Sequence, residues 1–128
     1  MAKTDLREIY RCEICGNVIE IVNTGAPALV CCGKPMEKLV AKSGDEGKEK
    51  HTPVIEELGE DRIIVKVGSV PHPMENDHYI VFIEVLTERD VLRHELKPGD
   101  NPSAMFNIKK SEIKEVREFC NKHMLWKA

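Results

Sequence analysis

Four cysteines in the pattern Cys12-x2-Cys15-x15-Cys31-Cys32 constrain the first third of this chain more than its hydrophobic pattern does. Two cysteines two residues apart around a tight turn can aim both sulfurs at one ion. Gly16 permits such a turn, and Gly33 follows the second pair in the same role. The cysteines of the second pair are adjacent. Neighbouring side chains on an extended backbone diverge, so both reach one ion only with local distortion. The pattern predicts a distorted four-sulfur tetrahedron, and the spacing fits zinc and redox iron equally. Residues 8–39 otherwise hold only short β-rich runs, 18–22 and 28–30. A segment this small cannot bury a core sufficient for independent stability, so the metal must supply it.

The same cysteines bear on compartment. The start of the chain, Met1 to Glu8, has no apolar stretch of the kind a secretory signal needs. A cytoplasmic chain is expected, where thiols stay reduced and serve as ligands rather than disulfides. The longest run free of Asp, Glu, Lys and Arg, from Ile21 to Gly33, is too short and too polar to span a membrane. The net charge is −3 and the pI about 6.0. That balance argues against nucleic acid or an anionic membrane as a general partner. Glycine-rich phosphate loops and nucleophile elbows are both missing from the sequence.

Beyond a polar, glycine-containing stretch at 41–50, read as a linker, the chain changes character. Strand-like runs at 62–67, 79–86, 91–96 and 104–108 alternate with turns. Their β-branched content and spacing suggest an all-β sandwich. Residues 111–120 fit a helical face through Ile113, Val116 and Cys120, or a strand through Val116, Glu118 and Cys120. Five histidines accompany this region. His72 lies in Pro71-His72-Pro73, where two prolines stiffen the loop. His123 follows Cys120 in Cys120-Asn121-Lys122-His123. His94 sits among polar residues and reads as an exposed bystander.

Together these pieces resemble desulfoferrodoxin, the two-iron superoxide reductase family of anaerobic microbes. The matching residues are Cys12-x2-Cys15-x15-Cys31-Cys32, Glu49-Lys50-His51-x-Pro53-Val54-Ile55, His72-Pro73-Met74-x3-His78-Tyr79-Ile80 and Cys120-Asn121-x-His123. They run from near one end of the chain to near the other, in order, with no departure at a ligand position. The resemblance implies a desulforedoxin-like domain over 1–38, with ferric iron on the four cysteines. It implies an immunoglobulin-like β-sandwich over 39–128, with a strand leading into Cys120. It further implies a catalytic iron with His51, His72, His78 and His123 in a plane and the Cys120 thiolate on the axis. The implied reaction is one-electron reduction of superoxide to hydrogen peroxide without release of dioxygen. Rubredoxin is the family's usual donor, and a homodimer its usual assembly.

The residue types suit that chemistry. Five protein ligands exceed the four of a structural zinc and leave one position on an octahedral iron for a small oxygen species. Neutral imidazoles with one thiolate leave about one net positive charge on ferrous iron, which favours an anion. The thiolate donates electron density toward the opposite position. Lys50, next to His51, can attract superoxide and stabilise developing negative charge. By the resemblance, Glu49 is the sixth ligand in the oxidised state. Two other readings use the same residues: an electron carrier with two iron sites, and a structural zinc module joined to a sandwich adaptor.

Overall fold

The structure, a computed structural model, describes residues 3–43 and 48–128; of Lys48 and Glu49 only their place in a helical turn is described. The chain forms two compact units, Met1–Val40 and Ala41–Ala128. Among the described residues no helix is long and apolar enough to cross a membrane.

In the first unit, β1 (Ile9–Arg11) lies between β2 (Val18–Glu20) and β5 (Glu37–Leu39), both antiparallel to it. A separate two-residue ladder joins β3 (Val30–Cys31) to β4 (Lys34–Pro35). Ile9, Tyr10, Cys12, Ile21 and Leu39 are the buried apolar residues of the unit. So few buried side chains cannot offset the chain entropy of forty residues, which agrees with the need for a metal. The expected strand at 18–22 is shorter than its β-rich run, and the one expected at 28–30 forms later, as β3.

The second unit is a β-sandwich. One sheet has the order β10-β7-β6, with β6 Pro53–Glu57, β7 Ile63–Val67 and β10 Ser103–Phe106. The other has the order β12-β11-β8-β9, with β8 Ile80–Leu86, β9 Val91–Glu95, β11 Glu115–Cys120 and β12 Met124–Lys127. This is the ABE and C′CFG arrangement of an immunoglobulin-like fold. Ile63, Val65 and Val67 from one sheet meet Ile80, Ile83, Val85 and Val116 from the other in the core. Alternation supplies those faces, since successive strand residues point to opposite sides.

The all-β expectation holds. Residues 115–120 are strand, preceded by a 3-10 turn at Lys110–Glu112, so the strand alternative is the observed one. The linker expectation over 41–50 needs correction. Lys42 pairs in parallel with Trp126, and a one-turn helix, α1, spans Lys48–His51. Lys-Glu-Lys favours helix, and the run feeds directly into β6. Positions 44–47 of that stretch lie outside the described residues.

On the β8–β9–β11 sheet, Arg117, Glu84 and Arg93 stand directly across from one another. Arg117 Nε donates to Glu84 Oε1 at 2.7 Å and Arg93 Nε to Oε2 at 2.8 Å. The buried carboxylate is thereby met by charge on both sides, as burial of an ion requires.

Candidate metal centres

The Cys12 knuckle is built by backbone hydrogen bonds. Gly16 N–H donates to the Cys12 carbonyl and Cys12 N–H to that of Asn17, both at 2.9 Å. Gly16 takes φ +81° to close the turn, as its position in the sequence suggests. The adjacent pair solves its geometric problem with two left-handed residues: Cys32 at φ +52° and Gly33 at +73°. A cysteine at positive φ is the local distortion that adjacency demands. All four sulfurs lie within 4.8 Å of one another. Cys15 and Cys31 Sγ are 3.5 Å apart, and Cys31 and Cys32 Sγ 4.0 Å. Sulfurs at ~2.3 Å from a tetrahedral ion lie about 3.8 Å apart, so the spacing fits one ion. The thiols are unlike one another. The Cys15 backbone N–H beside it draws Cys12 down to about 6, whereas the Cys15 and Cys12 side chains push Cys31 up to about 12. Four thiolates packed this closely repel one another unless a cation lies among them.

The second cluster sits at one end of the sandwich. His51 closes α1 just before β6, and His72 lies on the connection from β7 to β8. His78 precedes β8, Cys120 ends β11, and His123 lies in the turn to β12. Ligand atoms of these five residues lie within 4.8 Å of one another. The four imidazoles form a closed circuit, His51–His72–His78–His123, with centroid separations of 4.7–5.0 Å. Adjacent ring planes are inclined by 66–82°, so each ring turns an edge toward its neighbour. His51 Nε2 and His123 Nδ1 are 3.1 Å apart. Nitrogens ~2.1 Å from one ion at a right angle lie about 3.0 Å apart.

Tautomer and burial complete the case for a metal. His72 Nδ1 donates to the Pro73 carbonyl at 2.7 Å, which leaves its Nε2 as the lone-pair donor. Burial pulls His72 down to about 4, so the ring is neutral, the state a ligand needs. Nε2 of His72 and of His78 are buried without a hydrogen-bond partner. Two buried, unpartnered ring nitrogens drawn to one point fit a cation as their common partner. Cys120 is fully buried, 3.8 Å from His123 Nδ1 through its sulfur. Burial raises its thiol pKa, while the backbone N–H groups of His123 and Lys122 act in the opposite sense.

A bulge in β8 explains how His78 faces this cluster. Phe119 pairs with Phe82, but Cys120 pairs with Ile80, so Val81 is left over. Ile83 and Val85 face the core on one side of that residue, and Ile80 on the other. The bulge thus switches the inward parity from odd to even and carries it on toward His78.

The structure brings together all nine cysteine and histidine positions read from the sequence as ligands, in two groups. Lys50 is exposed one residue before His51. The side chain of Glu49 lies outside the described residues. His94 is exposed on β9 and joins neither group. Other contributors had little sequence signal. Trp126 stacks on His51 at 4.8 Å and 18° and donates Nε1–H to the His123 carbonyl at 2.9 Å. Lys42 Nζ lies 5.6 Å from the centre of the same indole. Glu118 is buried two residues before Cys120 with neither carboxyl oxygen hydrogen-bonded, and burial pushes its carboxyl well above the ordinary carboxylate range. The alternation of Val116, Glu118 and Cys120 was the one available hint of its inward position.

The family model described as desulfoferrodoxin matches residues 43–128, and that described as its N-terminal domain matches 4–39. A desulfoferrodoxin homolog of Archaeoglobus fulgidus is 49% identical over 125 residues, covering 98% of each chain. One from Methanothermobacter thermautotrophicus is 52% identical over 123 residues, covering 96% of this chain and 98% of that one. Among solved structures, the superoxide reductase from Treponema pallidum superposes with a TM-score of 0.74 at 28% identity, covering 100% of this chain and 99% of that one. With both ligand groups present in a chain matched along its length, this protein belongs to the desulfoferrodoxin family.

Proposed function

We infer that this protein is a superoxide reductase: it converts superoxide, one electron and two protons into hydrogen peroxide and forms no dioxygen. The observation that carries the reading is the circuit of four imidazoles closed over one buried thiol. That donor set exceeds a structural zinc site and suits a redox metal. Iron bound there, cycling between ferrous and ferric, supplies the electron. His51, His72, His78, His123 and Cys120 are its ligands, and the residues around them perform the rest. The Pro73 carbonyl fixes the His72 tautomer. Trp126 stacks on the His51 ring and anchors the backbone carbonyl of His123. The Lys122 and His123 N–H groups stabilise negative charge on Cys120. Lys50 draws the anionic substrate in and stabilises negative charge as it becomes peroxide. Glu49, next to Lys50, would supply a further carboxylate ligand to the oxidised iron.

In this reading Cys12, Cys15, Cys31 and Cys32 hold a second, ferric iron, rubredoxin or a similar small protein delivers electrons, and the enzyme works as a cytoplasmic homodimer. Val22, Val30 and Val40 are apolar and largely exposed, and each would gain from burial in such an assembly. The test is rapid mixing of the reduced, iron-loaded protein with superoxide while peroxide and dioxygen are measured. One peroxide per superoxide with no dioxygen is expected. Dioxygen release, or no reaction faster than spontaneous dismutation, would remove the assignment. An electron carrier would be reoxidised by acceptors yet show no fast step with superoxide.

A further inference from the structure

We propose that Asn121 is a positioning residue that locks the His78 arm to the Cys120–His123 turn and so sets how tightly the five-ligand site holds its metal. The proposal rests on the reading that these five residues bind one ion.

His78 lies outside both sheets of the sandwich. It precedes β8, and its own backbone bonds are the short bridge to Glu75, at 2.9 and 3.2 Å. Asn121 grips the residues on both sides of it. Its Oδ1 accepts from Tyr79 N–H at 2.9 Å, and its Nδ2 donates to the Asp77 carbonyl at 3.1 Å. Its backbone N–H adds a third bond, to the Tyr79 carbonyl at 3.2 Å. Asn121 is also the residue after Cys120 and two before His123. One side chain therefore ties the peptide neighbours of one ligand to the turn that carries two others. The pairing closes a chain separation of more than forty residues, so nothing local would restore it.

The chemistry selects asparagine. Tyr79 N–H needs an acceptor and the Asp77 carbonyl a donor, and a carboxamide presents both on one planar group. Aspartate keeps the acceptor but sets a carboxylate oxygen against the Asp77 carbonyl. Alanine loses both bonds. Ordering of ligands by their hydrogen-bonded neighbours typically changes metal affinity by roughly 10–100-fold.

The test uses the full chain as wild type, Asn121→Ala and Asn121→Asp, each stripped of metal and titrated with Co2+ against a competing chelator. Absorption of the single-thiolate site is separated from that of the four-thiolate site by subtracting the spectrum of Cys120→Ser. Affinity at the single-thiolate site should fall at least tenfold in Asn121→Ala and less in Asn121→Asp, while the four-thiolate site is unchanged. Wild-type affinity in Asn121→Ala, even with a lowered melting temperature, would overturn the proposal. Should Asn121→Ala not fold, wild-type affinity in Asn121→Asp would overturn it equally. A wild-type protein with no single-thiolate absorption would instead overturn the five-ligand reading.

Discussion

His51 and His123, 72 positions apart in the chain, present Nε2 and Nδ1 to each other at 3.1 Å. Neither nitrogen is placed by its own strand. His51 ends a single helical turn and His123 sits in a three-residue loop, yet the indole of Trp126 touches both residues. Lone pairs at that separation repel unless a cation or a shared proton lies between them. Removal of metal should therefore loosen the end of the sandwich. Chelator-treated protein is expected to melt earlier than the loaded form, and Fe2+ or Co2+ should restore the midpoint. At a free metal concentration 1,000 times Kd, the gain is ~4 kcal/mol. Identical melting curves for stripped and loaded protein would show that the five side chains are arranged without reference to an ion.

Trp126 invites a sharper experiment. If stacking fixes the His51 plane, Trp126→Leu should fill the space but leave the ring free to rotate and the His123 carbonyl without its indole donor. We expect slower superoxide reduction and a shifted thiolate absorption of the iron-loaded protein. Trp126→Phe, which keeps the stack, should retain more of both. Equal behaviour of the leucine and phenylalanine variants would mean that the ring contact has no role.

The fold and the site were legible to different degrees. Cysteine spacing pointed to the first cluster because ligand geometry is written in residue type, whereas the five ligands of the second came from the resemblance to desulfoferrodoxin. The strands β7, β8 and β9 were visible because β-branched and apolar residues are concentrated in them between turn residues. β6 was hidden by Pro53 and by Glu56 and Glu57, which an edge strand tolerates and a central one would not. β12 is only four residues long and begins at Met124 with φ +67°, where glycine would have marked the turn. The Val81 bulge was invisible in principle, since a register shift depends on the partner strand.

Glu84 should matter more than either of its arginines taken alone. Its carboxylate is fully buried, as is nearly all of Arg117, whereas the Arg93 side chain is 37% exposed. Glu84→Ala removes the carboxylate that meets the buried Arg117 charge and should cost ~3–5 kcal/mol in denaturant unfolding. Arg93→Ala leaves Glu84 its bond to Arg117 and should cost about 1 kcal/mol. A milder effect from Glu84→Ala than from Arg93→Ala would mean that the order of burial does not set the order of energies.

A pH effect is expected in the first unit. The hydrogen bond from the Lys38 ammonium, 2.6 Å away, holds the Glu8 carboxyl below its ordinary value of 4.5, with further help from the Asp5 N–H. A depressed folded-state value favours folding at pH above the unfolded value, and that contribution disappears as pH falls through the folded one. In zinc-loaded protein followed by NMR, Lys38→Ala should move the Glu8 titration upward toward 4.5. A midpoint that stays where it is in the wild type would show that Asp5 N–H and Tyr10, not Lys38, set it.

The two centres should be separable by mutation. Cys12, Cys15, Cys31 and Cys32 supply no ligand to the five-residue cluster. Cys15→Ser should then lose or alter the first iron while the reduced second site still reacts with superoxide at close to the wild-type rate. A folded Cys15→Ser protein that keeps its second iron but loses most of that reaction would show that the first centre takes part in turnover.

Lys50 is exposed one residue before His51, in a protein whose net charge is −3. An anion approaching such a chain is repelled overall, so local positive charge must govern the encounter. Lys50→Ala should lower the second-order rate constant with superoxide roughly tenfold, equivalent to ~1.4 kcal/mol. The salt dependence should flatten as well, because steering by an exposed charge decays over about 10 Å at ~0.1 M salt. Lys50→Arg, which keeps the charge and changes only the donor geometry, should retain most of the rate. The measurement is rapid mixing of each reduced protein with superoxide across a range of ionic strength. An alanine variant with both the wild-type rate and the wild-type salt slope would leave Lys50 as a solvated charge, and would turn attention to Lys122, whose charge acts on both His78 and Cys120.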